Sequence, residues 1–268
     1  MKVAVIQQNS QENVQANLTR VKELVLAAAA DGAKFVGLPE NFAFMGDEAD
    51  KRRIAEDLNH GGPILRALRD LAKESGAFLF GGGMPEKSGD EARPFNTSVL
   101  VAPTGELVAR YRKIHLFDVD MPDGSHAYRE SRATSAGGDP CVAEVHGTKV
   151  GLTVCYDLRF PELYRRLTEL GARIVTVPAA FTLMTGKDHW HTLLRARAIE
   201  NQVFVMAPAQ HGKHPGNRQT YGKALIIDAW GDVLAQCPDG EGYATARLDF
   251  AAQDRVRESL PCLSHRRL

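Results

Sequence analysis

Three ionisable side chains stand where predicted strands give out. Cys155 ends the apolar run GLTV (151–154) and is followed at once by YDLRFPE (156–162). A strand there must pass into a turn and then a helix. A thiol in that position stands close to backbone N–H groups, which can bind a developing oxyanion. The ordinary fate of an unpaired cysteine is burial in a core, and the local sequence leaves that reading open. Glu40 closes the buried run FVGLPE (35–40). Partial desolvation there is expected to raise its pKa toward neutrality, where it would serve as a general base. The competing reading is a hydrated acid at a strand end. Lys113, in RYRKIHLFD (110–118), is a strand-end cation of the kind that usually faces water.

The elements that must position these residues follow from periodicity and punctuation. Lys2–Gln7 reads as a strand, and Asn9 with Glu12 as a capping box for a helix running to about Ala30. Gly32 suits that helix's C-terminus, and the strand 34–39 then completes a βαβ unit. Pro63 opens a second helix that stops near Gly76, followed by a strand at 77–80 and a hairpin of 96–102 with 107–113. The order then repeats. Strand 149–155, helix 161–170, strand 173–177, a helix near 188–201, strand 203–207 and a hairpin of 224–229 with 233–236 make a second round. Two such halves predict two sheets packed face to face with helices outside, a four-layer α-β-β-α sandwich in one domain spanning 1–268.

The chain has 268 residues, with 33 Lys plus Arg against 33 Asp plus Glu, so no net charge steers it toward nucleic acid or an anionic membrane. The start, MKVAVIQQNS, turns polar too soon for a secretory signal, and no stretch reaches membrane-spanning length, so the expectation is a cytoplasmic protein with a small-molecule substrate. Its four cysteines form no CxxC pair, and neither a zinc site nor a disulfide framework is predicted. His189 and His191 would fall on different faces of a helix, and Gly81–Gly83 lack the spacing of a nucleotide loop, so no metal or organic cofactor is expected. The triple glycine reads better as a bulge or a close approach of backbone. Arg195 and Arg197 read as salt-bridged helix positions.

Taken together, LPEN (38–41), YRKIHLFD (111–118) and CYDLRFPEL (155–163) closely resemble the Glu-Lys-Cys signature of the carbon–nitrogen hydrolase, or nitrilase, superfamily. FTLMTGKDHW (181–190), RARAIENQ (195–202) and DAWGD (228–232) extend the resemblance over essentially the whole chain. It implies Cys155 as nucleophile, Glu40 as base and Lys113 as electrostatic partner of the oxyanion, with the Tyr156 N–H as a second donor. It further implies Glu130, in YRES (128–131), as a glutamate that positions the lysine or the substrate. Arg159 is a candidate fork for a substrate carboxylate, and Phe181, Thr182 and His189 are candidate pocket residues. Within the superfamily, AQHGKH (209–214) and Tyr221–Gly222 look most like the amidase branch acting on deaminated glutathione, with ω-amidase close behind. The resemblance also implies a homodimer or larger homo-oligomer. The rival readings are a hydrolase using His115 or His189 as base, and a non-catalytic binding module on the same fold.

Overall fold

The computed structural model describes residues 1–120 and 127–267. From its start the chain forms β1 (Lys2–Gln8), α1 (Val14–Ala30), β2 (Phe35–Leu38), α2 (Pro63–Ser75), β3 (Phe78–Glu86), β4 (Phe95–Val101) and β5 (Leu107–Arg112). A short ribbon, β6 (Asp118–Asp120) with β7 (Ala127–Arg129), and a strand β8 (Cys141–Val145) then lead to the second round. That round is β9 (Thr148–Leu152), α3 (Pro161–Glu169), β10 (Ile174–Thr176), α4 (Leu183–Asn201) and β11 (Phe204–Ala207). Two hairpins follow, β12 (Ala209–Lys213) with β13 (Gln219–Tyr221) and β14 (Leu225–Ile227) with β15 (Val233–Gln236). The strand β16 (Gly242–Arg247) and the helix α5 (Phe250–Ser259) come last.

One sheet runs β13-β12-β1-β2-β3-β4-β5, with β16 also paired to β1, and the other runs β15-β14-β11-β10-β9-β8. Strand alternation decides which layer each side chain enters. Val3 and Val5 of β1 join a core shared with Leu152, Ile174 and Val205 of the other sheet. Ala4 and Ile6 face the opposite way, into a second core with Val21 and Val25 of α1 and Leu65 and Leu68 of α2. On the far side, Leu163 and Leu167 of α3 and Trp190 and Leu194 of α4 cover the second sheet. The result is the four-layer α-β-β-α sandwich. Among the described residues no helix is long and apolar enough to cross a membrane.

Local signals explain most boundaries. Pro63 begins α2, and Gly76 ends it in the left-handed region at φ 62°. The Asn9–Glu12 capping box does not form. Asn9 donates instead to the carbonyls of His211 and Lys213 on the neighbouring β12, and Asn13 caps α1 by accepting from Ala16 N at 3.0 Å. Strand β3 is longer than predicted because Gly81–Gly83 continue it through a register shift between Gly81 and Met84. A Cβ on Gly82 would lie 2.0 Å from Pro178 Cβ and 2.4 Å from the Leu38 carbonyl. Gly82 thus permits the two halves to approach beside the cleft described next.

Candidate active site

The segments leaving β2 and the parallel pair β9 and β10 converge and supply Glu40, Cys155 and the stretch 178–180, while Lys113 follows β5 and Glu130 follows β7. The strand before Cys155 stops at Leu152, and a 3-10 turn over Cys155–Arg159 carries the chain into α3. Cys155 has φ 47°, an unusual backbone for a non-glycine residue, and its N–H donates to Pro178 O at 2.9 Å. Two residues further along that segment, Ala180 N donates to Glu40 Oε2 at 3.0 Å. The stretch 178–180 therefore holds both the sulfur-bearing backbone and the carboxylate.

Glu40 is 4% exposed and Lys113 2%. Glu40 Oε1 accepts from Lys113 Nζ at 3.0 Å and from Asn96 Nδ2 at 2.9 Å. Lys113 Nζ also donates to Glu130 Oε1 at 3.1 Å and Oε2 at 2.9 Å, and Asn96 Nδ2 reaches Glu130 Oε1 at 3.3 Å. Phe117 N fixes the other side of Glu130, donating to Oε2 at 2.7 Å. An ammonium and an amide thus both bridge two carboxylates, Glu40 buried and Glu130 part-buried.

Electrostatics differ from the sequence-based expectation at Glu40. Burial pushes its carboxyl up, but the charge and hydrogen bond of Lys113 outweigh that penalty and hold it below the ordinary glutamate value. Lys113 is in turn raised well above a free lysine, because Glu130 and Glu40 more than offset its own burial. The Cys155 thiol is raised well above a free cysteine, first by burial and then by the negative charge of Glu40, with Lys113 opposing only in part. At neutral pH the cluster therefore holds a carboxylate, an ammonium and a neutral thiol.

A cleft of about 490 Å³ opens over these groups, lined by Glu40, Lys113, Glu130, Cys155, Tyr156, Arg159, Phe181 and Thr182. Arg159 lies 5.5 Å from the Phe181 ring centroid. The oxygen of Thr182 caps α4, accepting from Thr185 N at 3.4 Å. His189 departs from expectation: it is exposed and lies outside the cleft lining, because α4 begins at Leu183 and not near Asp188. Its Nδ1 sits 3.3 Å from Arg159 Nη2, so it meets the cleft only through that arginine. Neither His115 nor His189 is among the cleft-lining residues; the His115 ring meets Asp157 Oδ1 at 2.7 Å and stacks on Phe160 with centroids 3.7 Å apart. Trp190 is core, donating to Lys223 O at 2.9 Å.

The sequence pattern of the carbon-nitrogen hydrolase family matches residues 2–258. The chain belongs to that family. Among curated members of this hydrolase family, the chain is 44% identical over 266 residues to the deaminated glutathione amidase of Synechocystis sp. (strain PCC 6803 / GT-S), covering 98% of this chain and 97% of that one. Its fold matches the C. elegans NitFhit protein with a TM-score of 0.92 and 37% identity, over 99% of this chain and 65% of that longer one. It matches Saccharomyces cerevisiae Nit3, a member of branch 10 of the nitrilase superfamily, with a TM-score of 0.90 and 30% identity, over 100% of this chain and 97% of that one.

Three residues of this hydrolase escaped sequence reading. Asn96 lies inside a strand and looked like a β-rich hairpin position, whereas it touches both glutamates. Arg197 is more than a helix salt bridge to Glu200: its guanidinium also grips Leu158 O from Nε at 3.1 Å and Nη2 at 2.9 Å, bracing the turn behind Cys155. Asp157 is wholly buried beneath the same turn. No spacing rule announces any of the three.

Proposed function

We propose that this hydrolase is a cysteine-dependent amidase whose substrate is deaminated glutathione, cleaved to α-ketoglutarate and cysteinylglycine. The observation that carries the reading is the buried Glu40 carboxylate held by Lys113, Asn96 and the Ala180 N–H beside a neutral Cys155 thiol. In this reading Glu40 takes the thiol proton as sulfur bonds to the amide carbon, because proton transfer to so acidic a carboxylate is uphill until the C–S bond forms. The negative charge then leaves Glu40 and appears on the substrate oxygen. Lys113 is released from one partner as the other arises, and with the Tyr156 N–H it binds the oxyanion. Glu130 keeps the ammonium in place through this exchange. The protonated Glu40 gives its proton to the departing nitrogen, cysteinylglycine leaves, and a thioester remains on Cys155. Glu40, a carboxylate again, activates water, and hydrolysis of the thioester releases α-ketoglutarate. No cofactor enters the scheme.

Support for the substrate comes from the names of relatives, including a human deaminated glutathione amidase 42% identical over 272 residues, covering 99% of this chain and 82% of that one. Arg159, at the cleft beside the nucleophile, is the proposed partner of a substrate carboxylate. The proposed setting is cytoplasmic and the proposed assembly a homo-oligomer, for which sedimentation of the purified protein is the direct measurement. The substrate is tested by incubating the enzyme with deaminated glutathione and separately with α-ketoglutaramate, and following α-ketoglutarate release against Cys155→Ala. Faster Cys155-dependent release from deaminated glutathione supports the reading. Preference for α-ketoglutaramate would make the chain an ω-amidase, and release from neither would overturn both substrates.

A further inference from the structure

The turn bearing Cys155 and the strand end bearing Lys113 belong to different sheets, and one side chain ties them together. Asp157 is fully buried. Its Oδ2 accepts from the Tyr111 hydroxyl at 2.7 Å and from Val154 N at 2.8 Å. Its Oδ1 accepts from His115 N at 3.2 Å and meets His115 Nδ1 at 2.7 Å. These partners bracket Lys113 two residues to either side and include the residue immediately before Cys155. The knot is closed further by Ile114 N, which donates to the Tyr111 hydroxyl at 3.3 Å, and by His115 stacking on Phe160 at the end of the nucleophile's turn.

Asp157 does not line the cleft, so it has no direct contact with substrate to explain it. A buried carboxylate carries a desolvation cost that an apolar side chain of similar size would avoid. What it supplies in exchange is a set of directed bonds to two segments that packing alone would leave free to slide. It also restrains the residue preceding the unusual φ 47° backbone of Cys155.

We propose that Asp157 is a positioning residue for hydrolysis, its carboxylate fixing the separation between the Lys113 ammonium and the Cys155 sulfur. The proposal rests on the roles assigned above to Cys155 and Lys113, and it concerns how they are held. Asp157→Asn keeps the volume but replaces one acceptor by a donor, which cannot satisfy all the donors that now converge there.

The variant is to be compared with the native enzyme in thermal melting, in kcat and KM on deaminated glutathione, and in the pH profile of Cys155 alkylation by iodoacetamide, with Cys155→Ala as blank. Expected is a folded protein whose kcat falls about 100-fold, the scale of an ångström's misplacement, with KM little changed. Its alkylation profile moves to higher pH as the sulfur loses the nearby positive charge. Native kcat and a native alkylation profile in folded Asp157→Asn would overturn the proposal, as would losses that merely track the unfolded fraction. If that variant does not fold, Tyr111→Phe removes two bonds of the knot, the one to Asp157 and the one from Ile114 N, and almost no volume. It should lose about tenfold in kcat at native KM, while unchanged kcat overturns the idea. Should the native enzyme cleave neither test amide, the alkylation profile alone decides. A shift in the variant then leaves the clamp standing while the substrate reading falls, and no shift removes the clamp.

Discussion

The proposed mechanism asks Glu40 to be two things, an anion at rest and an acid in mid-reaction, and its three donors favour the first. Because its carboxyl lies below the ordinary glutamate range, kcat/KM should stay level as pH falls through that range and drop only as Glu40 itself is protonated at lower pH. Asn96→Ala deletes a donor to the ionised form, so the acid limb of the pH–rate profile should move upward toward the ordinary value. A limb that does not move would show that Asn96 has no part in setting the acidity. Glu40→Gln keeps the size of the side chain and removes the proposed base. Single-turnover trapping of the thioester should then be slowed by about 100-fold or more, whereas a histidine-based hydrolase would acylate normally. Arg159→Lys preserves charge and loses the planar fork. For a substrate carboxylate held by that fork, KM should rise about tenfold with kcat nearly unchanged, and an unaltered KM removes Arg159 from the binding site.

At the scale of elements, the strand β3 matters as much as the loops around the cleft, since Gly82 leaves room for Pro178 of the segment 178–180 that bonds Glu40. Gly82→Ala would drive a methyl into Pro178 Cβ and the Leu38 carbonyl. Overpacking of this kind costs about 1–3 kcal/mol, so thermal melting should fall and activity should fall further than stability. A variant as stable and active as the native enzyme would show that the contact yields freely. This approach was partly legible in the sequence, because three glycines with no phosphate-loop spacing suit close backbone contact. The two βαβ-like rounds, the helix punctuation at Pro63 and Gly76, and the placing of Glu40 and Cys155 just after strands were legible for the same reason, each being dictated by neighbours along the chain, although the strands stop earlier than expected, at Leu38 and Leu152. What was not legible depends on neighbours across space. The cap of α1 moved to Asn13 because Asn9 was claimed by β12, more than a sheet pairing away in sequence. The short strands β6, β7, β8, β12, β13 and β16 and the helix α5 have too little periodic sequence to declare themselves. The downward shift at Glu40 needed a lysine 73 positions later in the chain, which local desolvation could not foretell.

At the scale of the whole molecule, neither half can bury its inner sheet face without the other. Phe35, Phe80 and Leu100 from the first half lie in one core with Val150, Ile174 and Val205 from the second. Unfolding should therefore be one cooperative transition. The chain has two tryptophans, Trp190 wholly buried and Trp230 58% exposed, so Trp230→Phe leaves a single core indole. Its fluorescence and the far-ultraviolet circular dichroism should share one denaturation midpoint. Separate midpoints would divide the molecule into two folding units. The interior that joins the halves also sets the chemical fate of the sulfur. Peroxide attacks thiolates, and burial beside Glu40 keeps Cys155 in its protonated form. In the proposed mechanism the thiolate forms only as substrate arrives, so the enzyme presents little target to oxidants between turnovers. It should ride out an oxidative burst that converts exposed, acidic thiols elsewhere to sulfenic acid.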